Sequence, residues 1–545
     1  MIQRRLYIYI VAAASFGMVL VGLINLGSTA LNQLLNATPP YTNLADAYAG
    51  FGAVTLVGLP VWGIHWWLAQ RFAARNSDER ASAIRRLYLY VVLAATGIAL
   101  AVYLRRLIED AAGFVLGTSS DGASITRALW ATLVVAAFWL YHFRTAAVDR
   151  NKVGESGVSA TLRRWYAYGL LFLGLAFLLF GARNLLQQIW VLLVDRGQVV
   201  APGGLVPTAM ATMLTGLLTW GFHSQWTARP PIAQDDQRST LRAVQRFLAL
   251  TGSVALALFG ASQLLYYALA RILGIEHPGG VTTSIVVAVA SPAATVIVFG
   301  LAWLWIQRQL AADAGATEAA RQAGVRHLYT HLVALLALAT LAIGAAGLLW
   351  TLSDQILNNA VHTPSGGQGG DWRDRVSLFI TLIVVGAPMW LTHWRQSPEL
   401  VERYTLSRRL YLYATLLGSV LAVLISGAIF VYRLLALVLG TSDAASGAPV
   451  IDMGRALSVI LVAAAIGLYH WRVLRSDSAA RPAPSPAGIS SPASGGGQVP
   501  AGIPSPVYGG GQGGGMVVSI TGATEQQIRQ ALSTLPEGAN YTIRR

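Results

Sequence analysis

The sequence contains no cysteine among its 545 residues. This absence excludes disulfide bonds, thiolate catalysis, and zinc or iron–sulfur sites held by cysteine. Three common enzyme motifs are also missing: the P-loop, the Gly-x-Ser-x-Gly nucleophile elbow and the His-Glu-x-x-His zinc motif. We therefore expect a protein that is not an enzyme and that holds no cofactor.

Charged residues are scarce as well. They make up 12% of the chain, whereas hydrophobic residues make up 54%, and an ordinary soluble domain carries about 25% charged residues. Apolar runs such as 88–103, 285–306 and 410–432 reach or approach the ~20 residues that cross a hydrocarbon core. The sequence therefore predicts a multi-pass membrane protein surrounded by a lipid bilayer.

The net charge is +15, but its placement does not favour nucleic-acid binding. The basic residues cluster beside the apolar runs, as at Arg71, Arg75, Arg85 and Arg86, where they orient a membrane protein. The first apolar run also continues well beyond the core of a signal peptide, which predicts an uncleaved first span. Positive-inside reasoning then places both termini in the cytoplasm, and we expect a bacterial plasma (inner) membrane.

A short marker recurs about every 80 residues along the chain, and a fixed period of this kind indicates one structural unit repeated. Four copies are clear: Arg4-Arg5-Leu6-Tyr7, Arg85-Arg86-Leu87-Tyr88, Arg163-Arg164-Trp165-Tyr166 and Arg408-Arg409-Leu410-Tyr411. Two weaker copies are Gln245-Arg246-Phe247 and Arg326-His327-Leu328-Tyr329. Each marker opens a first helix, A, which a second helix, B, follows.

This pattern predicts an all-α polytopic fold of about twelve transmembrane helices, arranged as six two-helix repeats of like orientation within residues 1–476. The six units lie near 4–80, 81–158, 159–240, 241–320, 321–403 and 404–476. Matching residues around His65 and His393, and around His142 and His470, indicate that units one-two and five-six are copies of a four-helix block. Prolines 60, 292 and 388 are expected to interrupt B helices.

The chain after the repeats changes composition. Residues 477–515 are rich in proline, glycine and serine, which predicts a flexible linker. Residues 516–545 read as a small cytoplasmic β-α-β module, which is too short for independent stability. We expect this tail to associate with a protein partner, with a second copy of itself, or with the membrane domain.

The Arg-Arg-Leu-Tyr opening of helix A, together with a His-Trp-Arg ending of helix B, resembles a bacterial family of multi-pass membrane proteins known only as a domain of unknown function. The resemblance covers roughly residues 4–475. It implies the membrane fold and no activity. Unit four departs from the pattern because Ala302 stands where the other units have histidine.

Recurrent aromatic and histidine residues near the basic ends of the B helices form the first candidate site. They are His65, Trp66, His142, His223, His393, Trp394, His470 and Trp471. Interfacial anchoring or hydrogen bonding between repeats explains them best. Haem or metal ligation and pH sensing remain alternatives, because histidines at matched depth on facing helices can serve either role.

A second candidate is a polar vestibule at the opposite ends of the A helices, formed by Arg105, Arg106, Glu109, Asp110, Arg183 and Arg433. Charges inside a membrane are functional candidates. At these depths an arginine can also reach the interface, and arginine can pair with a carboxylate four residues later. No carboxylate stands in the middle of a predicted span, which weighs against ion-coupled transport.

These observations favour a non-enzymatic scaffold or assembly protein whose tethered cytoplasmic tail docks a partner. The alternative is a transporter or channel for a small solute, with a polar path between repeats. A haem-binding redox subunit is the remote third hypothesis.

Overall fold

The computed structural model describes ten stretches of the chain: residues 2–35, 43–118, 121–195, 205–236, 239–280, 284–314, 320–361, 372–394, 405–440 and 447–479. All of them belong to the first of two compact parts, Met1–Arg481. The predicted β-α-β tail and the linker from residue 480 onward lie outside the described residues.

Twelve long helices make up nearly all of the described chain. Their bounds are α1 Ile2–Leu34, α2 Leu44–Arg75, α3 Ala83–Val115, α4 Gly122–Val153, α5 Gly157–Asp195, α6 Leu205–Thr227, α7 Thr240–Ile272, α8 Ala290–Ala314, α9 Ala320–Val361, α10 Trp372–Trp394, α11 Leu406–Val438 and α12 Ala448–Ala479. Short helical segments at Ser77–Ala81, Pro230–Asp236, Pro278–Gly280 and Ile285–Ala288 lie in the connections.

Each of the twelve helices, with Ile285–Ala288 continuing into α8, is long and apolar enough to cross a membrane. No strand occurs in the stretches that the structure describes. The prediction of an all-α, multi-pass membrane protein with twelve spans is confirmed. Helices α1, α3, α7 and α11 have 33 residues each, so at 1.5 Å per residue they extend about 50 Å and project beyond a ~30 Å core.

The prolines interrupt fewer helices than expected. Pro60 and Pro388 lie inside α2 and α10, and the helix continues through both positions. Only Pro292 stands beside a break, at Val289, between Ile285–Ala288 and α8. The expectation of interruption was wrong for Pro60 and Pro388, because neighbouring helices in a membrane can accommodate the missing backbone hydrogen bond.

Packing follows a regular order along the chain. Each odd-numbered helix packs most extensively against the even-numbered helix that follows it. Helices α1, α3, α5, α7 and α9 also pack against both helices of the next pair. Helix α3, for example, contacts α4, α5 and α6. Among the described residues, α11 has no extensive contact with α1, so the consecutive helix pairs form an open row in which each pair contacts its neighbours.

Glycines bring α5 and α6 unusually close. A Cβ atom at Gly174, Gly181 or Gly216 would lie 2.1 to 2.5 Å from a backbone nitrogen of the facing helix. In lipid there is no hydrophobic driving force between helices, so a helix pair depends on close van der Waals packing. Small residues such as glycine allow the two backbones to approach closely enough for that packing.

We predict that Gly181→Ala destabilises the protein by roughly 1–3 kcal/mol, because the new methyl group would meet the Met213 backbone nitrogen at 2.2 Å. The matched control is Gly169→Ala on the same helix, where nothing lies within 4 Å of the added Cβ. Alanine at that position should raise stability slightly through its better helix propensity. Thermal unfolding of the purified protein measures both, and an equal midpoint for the two variants would contradict the close α5–α6 packing.

Candidate functional site

The arginines of the repeated marker lie near the first residues of helices α1, α3, α5 and α11, and several are fully buried. Arg85 is 1% exposed, Arg86 0% and Arg163 2%. A guanidinium group removed from water is strongly destabilising unless it is paired and hydrogen-bonded. These residues must therefore be neutralised inside the protein, and we call their surroundings the arginine layer.

In five contacts of the arginine layer, a marker arginine pairs with a carboxylate in the last turns of the B helix that follows it or just beyond that helix. The pairs are Arg5 with Glu79 at 2.7 Å, Arg85 with Asp149 at 2.7 Å, Arg86 with Glu155 at 3.0 Å, Arg163 with Asp236 at 2.9 Å and Arg408 with Asp477 at 2.8 Å. The pairing joins the beginning of each of these units to its end.

Some of these carboxylates also connect consecutive units. Glu155 pairs with Arg86 of unit two and, at 2.9 Å, with Arg163 of unit three. Tyr90 donates a hydrogen bond to the same carboxylate. Arg85 in turn contacts unit one, where its guanidinium donates to the Gln70 side chain at 2.7 Å.

Asp236 is the most enclosed of the carboxylates, with 0% exposure. It accepts hydrogen bonds from Arg163, Arg164 and Tyr168, at 2.7 to 3.1 Å. Burial alone would raise the pKa of this carboxyl group, but the hydrogen bonds and charges of the two arginines outweigh it and hold the pKa below the ordinary value of 3.8. Asp236 is therefore ionised at neutral pH.

Directly beneath the arginine layer, a three-residue hydrogen-bonded chain recurs three times, and we call it the Trp–Tyr–His triad. The tyrosine of the marker binds the histidine of its own unit and the tryptophan of the preceding unit. The triads are Trp62–Tyr88–His142, Trp139–Tyr166–His223 and Trp390–Tyr411–His470. Each one joins three helices from two consecutive units.

The direction of every hydrogen bond in a triad follows from its partners. Nδ1 of His142, His223 and His470 lies 2.8 Å from the carbonyl oxygen four residues earlier. A carbonyl only accepts, so Nδ1 carries the proton and Nε2 of the neutral ring is the acceptor. The tyrosine hydroxyl therefore donates to Nε2 and accepts the indole N–H of the tryptophan.

In the part of the chain that the structure describes, a second hydrogen bond from a tryptophan to a tyrosine is found in both predicted four-helix blocks. Trp66 donates to the Tyr141 hydroxyl at 2.7 Å, and Trp394 donates to the Tyr469 hydroxyl at 2.8 Å. Arg85 lies over the ring of Trp66 and Arg408 over that of Trp394. The two blocks thus repeat the same set of contacts between different residues.

The predicted histidine positions fall into two groups. His142, His223 and His470 are buried in triads, at most 3% exposed. His65 and His393 are half-buried; Nε2 of His65 lies 3.5 Å from the exposed Tyr7 hydroxyl. Trp471 is exposed.

This geometry bears on the haem hypothesis. In the three buried histidines both ring nitrogens are already engaged, one with a backbone carbonyl and one with a tyrosine hydroxyl. Axial ligation of haem iron needs a free ring nitrogen. No cluster of three or more potential metal ligands occurs in the part of the chain that the structure describes.

The vestibule residues do not converge on one point. Arg105 pairs with Glu109 at 2.9 Å and Arg106 with Asp110 at 3.2 Å, each four residues apart on α3. Glu109 also accepts a hydrogen bond from Thr208 of α6. Further along the row, Arg433 pairs with Asp452 at 2.7 Å.

Arg183 differs from the other vestibule arginines because its partners are uncharged. It donates hydrogen bonds to Ser291 and Thr295 of α8 and to the neighbouring Asn184. No carboxylate pairs with it among the residues that the structure describes. It lies beside the break that precedes α8.

Sequence reasoning missed the carboxylates of the arginine layer: Glu79, Asp149, Glu155, Asp235, Asp236 and Asp477. A signal was present, because an acidic residue follows the marker after 64 to 74 residues in four units. Basic residues beside apolar runs indicate orientation in the membrane, and that interpretation of the marker arginines requires no buried partner.

Comparison with known protein families gives a match over most of the chain. A family model described as a domain of unknown function, DUF5671, matches residues 5–141, 164–289, 246–340 and 327–465. Neither the curated proteins nor the solved structures contain a match to the chain.

We predict that Tyr88→Phe, Tyr166→Phe and Tyr411→Phe each destabilise the protein by roughly 1–3 kcal/mol, because each leaves a half-buried indole N–H and a buried imidazole nitrogen without a partner. The matched control is Tyr7→Phe, since Tyr7 is 61% exposed and water can replace its hydroxyl. Thermal unfolding measures all four. If the Tyr7 variant lost as much stability as the others, the triads would not be stabilising elements.

The Asp236 cluster predicts a loss of stability in acid. The pKa of Asp236 is lower in the folded protein than in the unfolded chain. The contribution of Asp236 to the free energy of unfolding is therefore complete above the unfolded pKa, near 3.8, and declines as the pH falls through the lower, folded pKa. Unfolding midpoints measured across this pH range should therefore fall more steeply for the wild type than for Asp236→Asn. Asp235→Asn, at a 44% exposed side chain, should keep the wild-type slope.

Proposed function

We propose that this chain, which belongs to the DUF5671 family, is a rigid, non-enzymatic scaffold of the membrane, built from six two-helix repeats of like orientation. The triads carry this proposal. Alternating-access transport requires one group of helices to move against another. Each Trp–Tyr–His triad connects consecutive units through buried hydrogen bonds that such a movement would break.

The distribution of charge supports the same function. The buried guanidinium groups of the arginine layer are neutralised by carboxylates within the protein, so they are occupied in holding units together. Most vestibule arginines are paired with carboxylates in the same way. Pairing of this kind fixes the geometry of a framework and leaves few charges to guide an ion.

The proposed orientation places the arginine layer, and with it both termini, on the cytoplasmic side of a bacterial plasma membrane. Basic residues are retained on that side. The linker that begins near residue 480 then extends into the cytoplasm and carries residues 516–545. A flexible tether of this length gives a weakly binding segment a high local concentration near the scaffold. We propose that this segment docks a protein partner or a second copy of the chain.

Transport of a small anionic solute is the second candidate, and Arg183 is the observation that favours it. Its guanidinium group is held by hydroxyl and amide groups beside the break before α8. A cation without a carboxylate near the outer end of a span can attract an anion.

The scaffold hypothesis predicts a stoichiometric partner that depends on the tail. Full-length protein, a variant ending at residue 515 and a variant ending at residue 480 are purified from native membranes, together with a second copy carrying a different tag. A partner or second copy recovered in fixed ratio only with the full-length protein is the expected result. The variant ending at 515 separates the contribution of the tail from that of the linker.

If neither a partner nor a second copy is recovered with any of the three proteins, and their thermal midpoints agree, docking by the tail is contradicted. In reconstituted vesicles the scaffold hypothesis predicts no solute flux. An anion flux that Arg183→Ala abolishes would establish transport instead.

A further inference from the structure

A cavity of about 490 Å³ lies between α9, α11 and α12, with Phe379 of α10 forming part of its wall. Along α9 it extends from Leu335 to Trp350, which at 1.5 Å per residue corresponds to about 22 Å. None of the described residues that line it is charged, and those that carry a hydroxyl group are Thr415 and Ser419. The cavity is therefore elongated and almost entirely apolar.

The corresponding place between α1, α3 and α4 is filled by side chains. Phe16 packs edge-on against Phe138, with ring centroids 5.3 Å apart. Farther along the same two helices, Leu20, Ile24 and Val135 belong to one apolar cluster. Close packing of this kind is normal for the interior of a protein, where voids larger than a water molecule are few.

The two predicted four-helix blocks, α1–α4 and α9–α12, can be compared position by position. Positions on α1 and α9 are counted from the marker tyrosine, Tyr7 or Tyr329, and positions on α4 and α12 from the triad histidine, His142 or His470. Five large residues of the first block are smaller in the second, and all five replacements line the cavity. They are Leu338 for Phe16, Ala342 for Leu20, Ala346 for Ile24, Ala463 for Val135 and Ile466 for Phe138.

A polar pair at the far end of the same helices confirms that the comparison uses the right register. Arg127 of α4 donates a hydrogen bond to Asn32 of α1. At the same counted positions, Arg455 of α12 donates to Asp354 of α9 at 2.7 Å. The helices of both blocks are thus aligned alike along their length, and the cavity arises from smaller side chains and not from a shifted helix.

Volume is gained mainly at the two ends of the cavity. Leu335 stands where the first block has Ala13, and Trp350 stands where it has Ser28. A smaller gain between the ends, Val459 in place of an alanine, does not fill the space. The side chains of the second block therefore form an open middle that is bounded at both ends.

The cavity also has an opening between α9 and α11. Ala339 and Gly418 line it and are exposed, and both lie within helices long and apolar enough to span a membrane. The surroundings of this opening are accordingly lipid chains. An apolar cavity does not hold water but accepts apolar molecules, and an unfilled cavity destabilises the fold around it.

We propose that this cavity is a binding site for one hydrocarbon chain of a membrane lipid, which enters between α9 and α11 and lies along both helices. Its length of about 22 Å is shorter than the ~30 Å hydrocarbon core, so the chain remains within the membrane. Each methylene group buried there stabilises the complex. The triad formed by Trp390, Tyr411 and His470 keeps α10, α11 and α12 in place, so the cavity persists for the chain to fill. This inference goes beyond the scaffold role and does not depend on it.

Native mass spectrometry of the full-length protein, after delipidation in detergent, tests the site. We expect the wild type to retain one molecule with a long hydrocarbon chain. The variant Ala342→Leu/Ala346→Ile/Ala463→Val restores the side chains of the first block and should lower retention roughly ten-fold, the effect of losing contact with about two methylene groups. Gly418→Leu, where nothing lies within 4 Å of an added Cβ, should lower it from the opening without altering the interior.

The matched control is Ala14→Leu/Ala53→Ile/Ala465→Val, which makes the same changes at exposed positions and should retain the molecule. Added lipid should raise the thermal midpoint of the wild type and of the control, but not that of the filled variant. Analysis of the released molecule distinguishes an acyl chain from an isoprenoid chain, and either supports the site. No retained molecule in the wild type, or equal retention in all four proteins, would overturn the proposal.

Discussion

A guanidinium group buried between membrane helices must be paired with a carboxylate, and in this protein the carboxylate comes from the other end of the same two-helix unit. Arg85 with Asp149 and Arg163 with Asp236 are the best enclosed examples. The free energy of leaving either member unpaired is large. This constraint brings the start of an A helix and the end of its B helix to the same depth, and the rest of the unit follows from it.

The triads add the connection between units. Since the tryptophan comes from one unit and the tyrosine and histidine from the next, each triad fixes the position of a helix pair relative to the preceding one. Glu155, which pairs with arginines of two units, acts in the same way. A row of units joined through buried polar groups suits a rigid framework better than a transporter whose helix groups move against each other.

The blocks formed by units one-two and five-six show how the same contacts arise from different surroundings. Trp66, Tyr141 and Arg85 make the contacts that Trp394, Tyr469 and Arg408 make more than 300 residues later. Repetition of both the hydrogen bonds and the stacked arginine indicates that these groups work together, with the aromatic ring covering the guanidinium group from one side.

The sequence by itself determined the all-helical membrane fold and the number of spans, because the length of an apolar run and the spacing of a marker are local properties. It also predicted the pairing of Arg105 with Glu109 and of Arg106 with Asp110, since residues four apart on a helix are neighbours. Only the tertiary structure decided that the marker arginines are buried, that Asp149 and Asp236 neutralise them, and that the tryptophan of one unit binds the tyrosine of the next. Those contacts join residues 21 to 75 positions apart, and their distances depend on how separate helices pack.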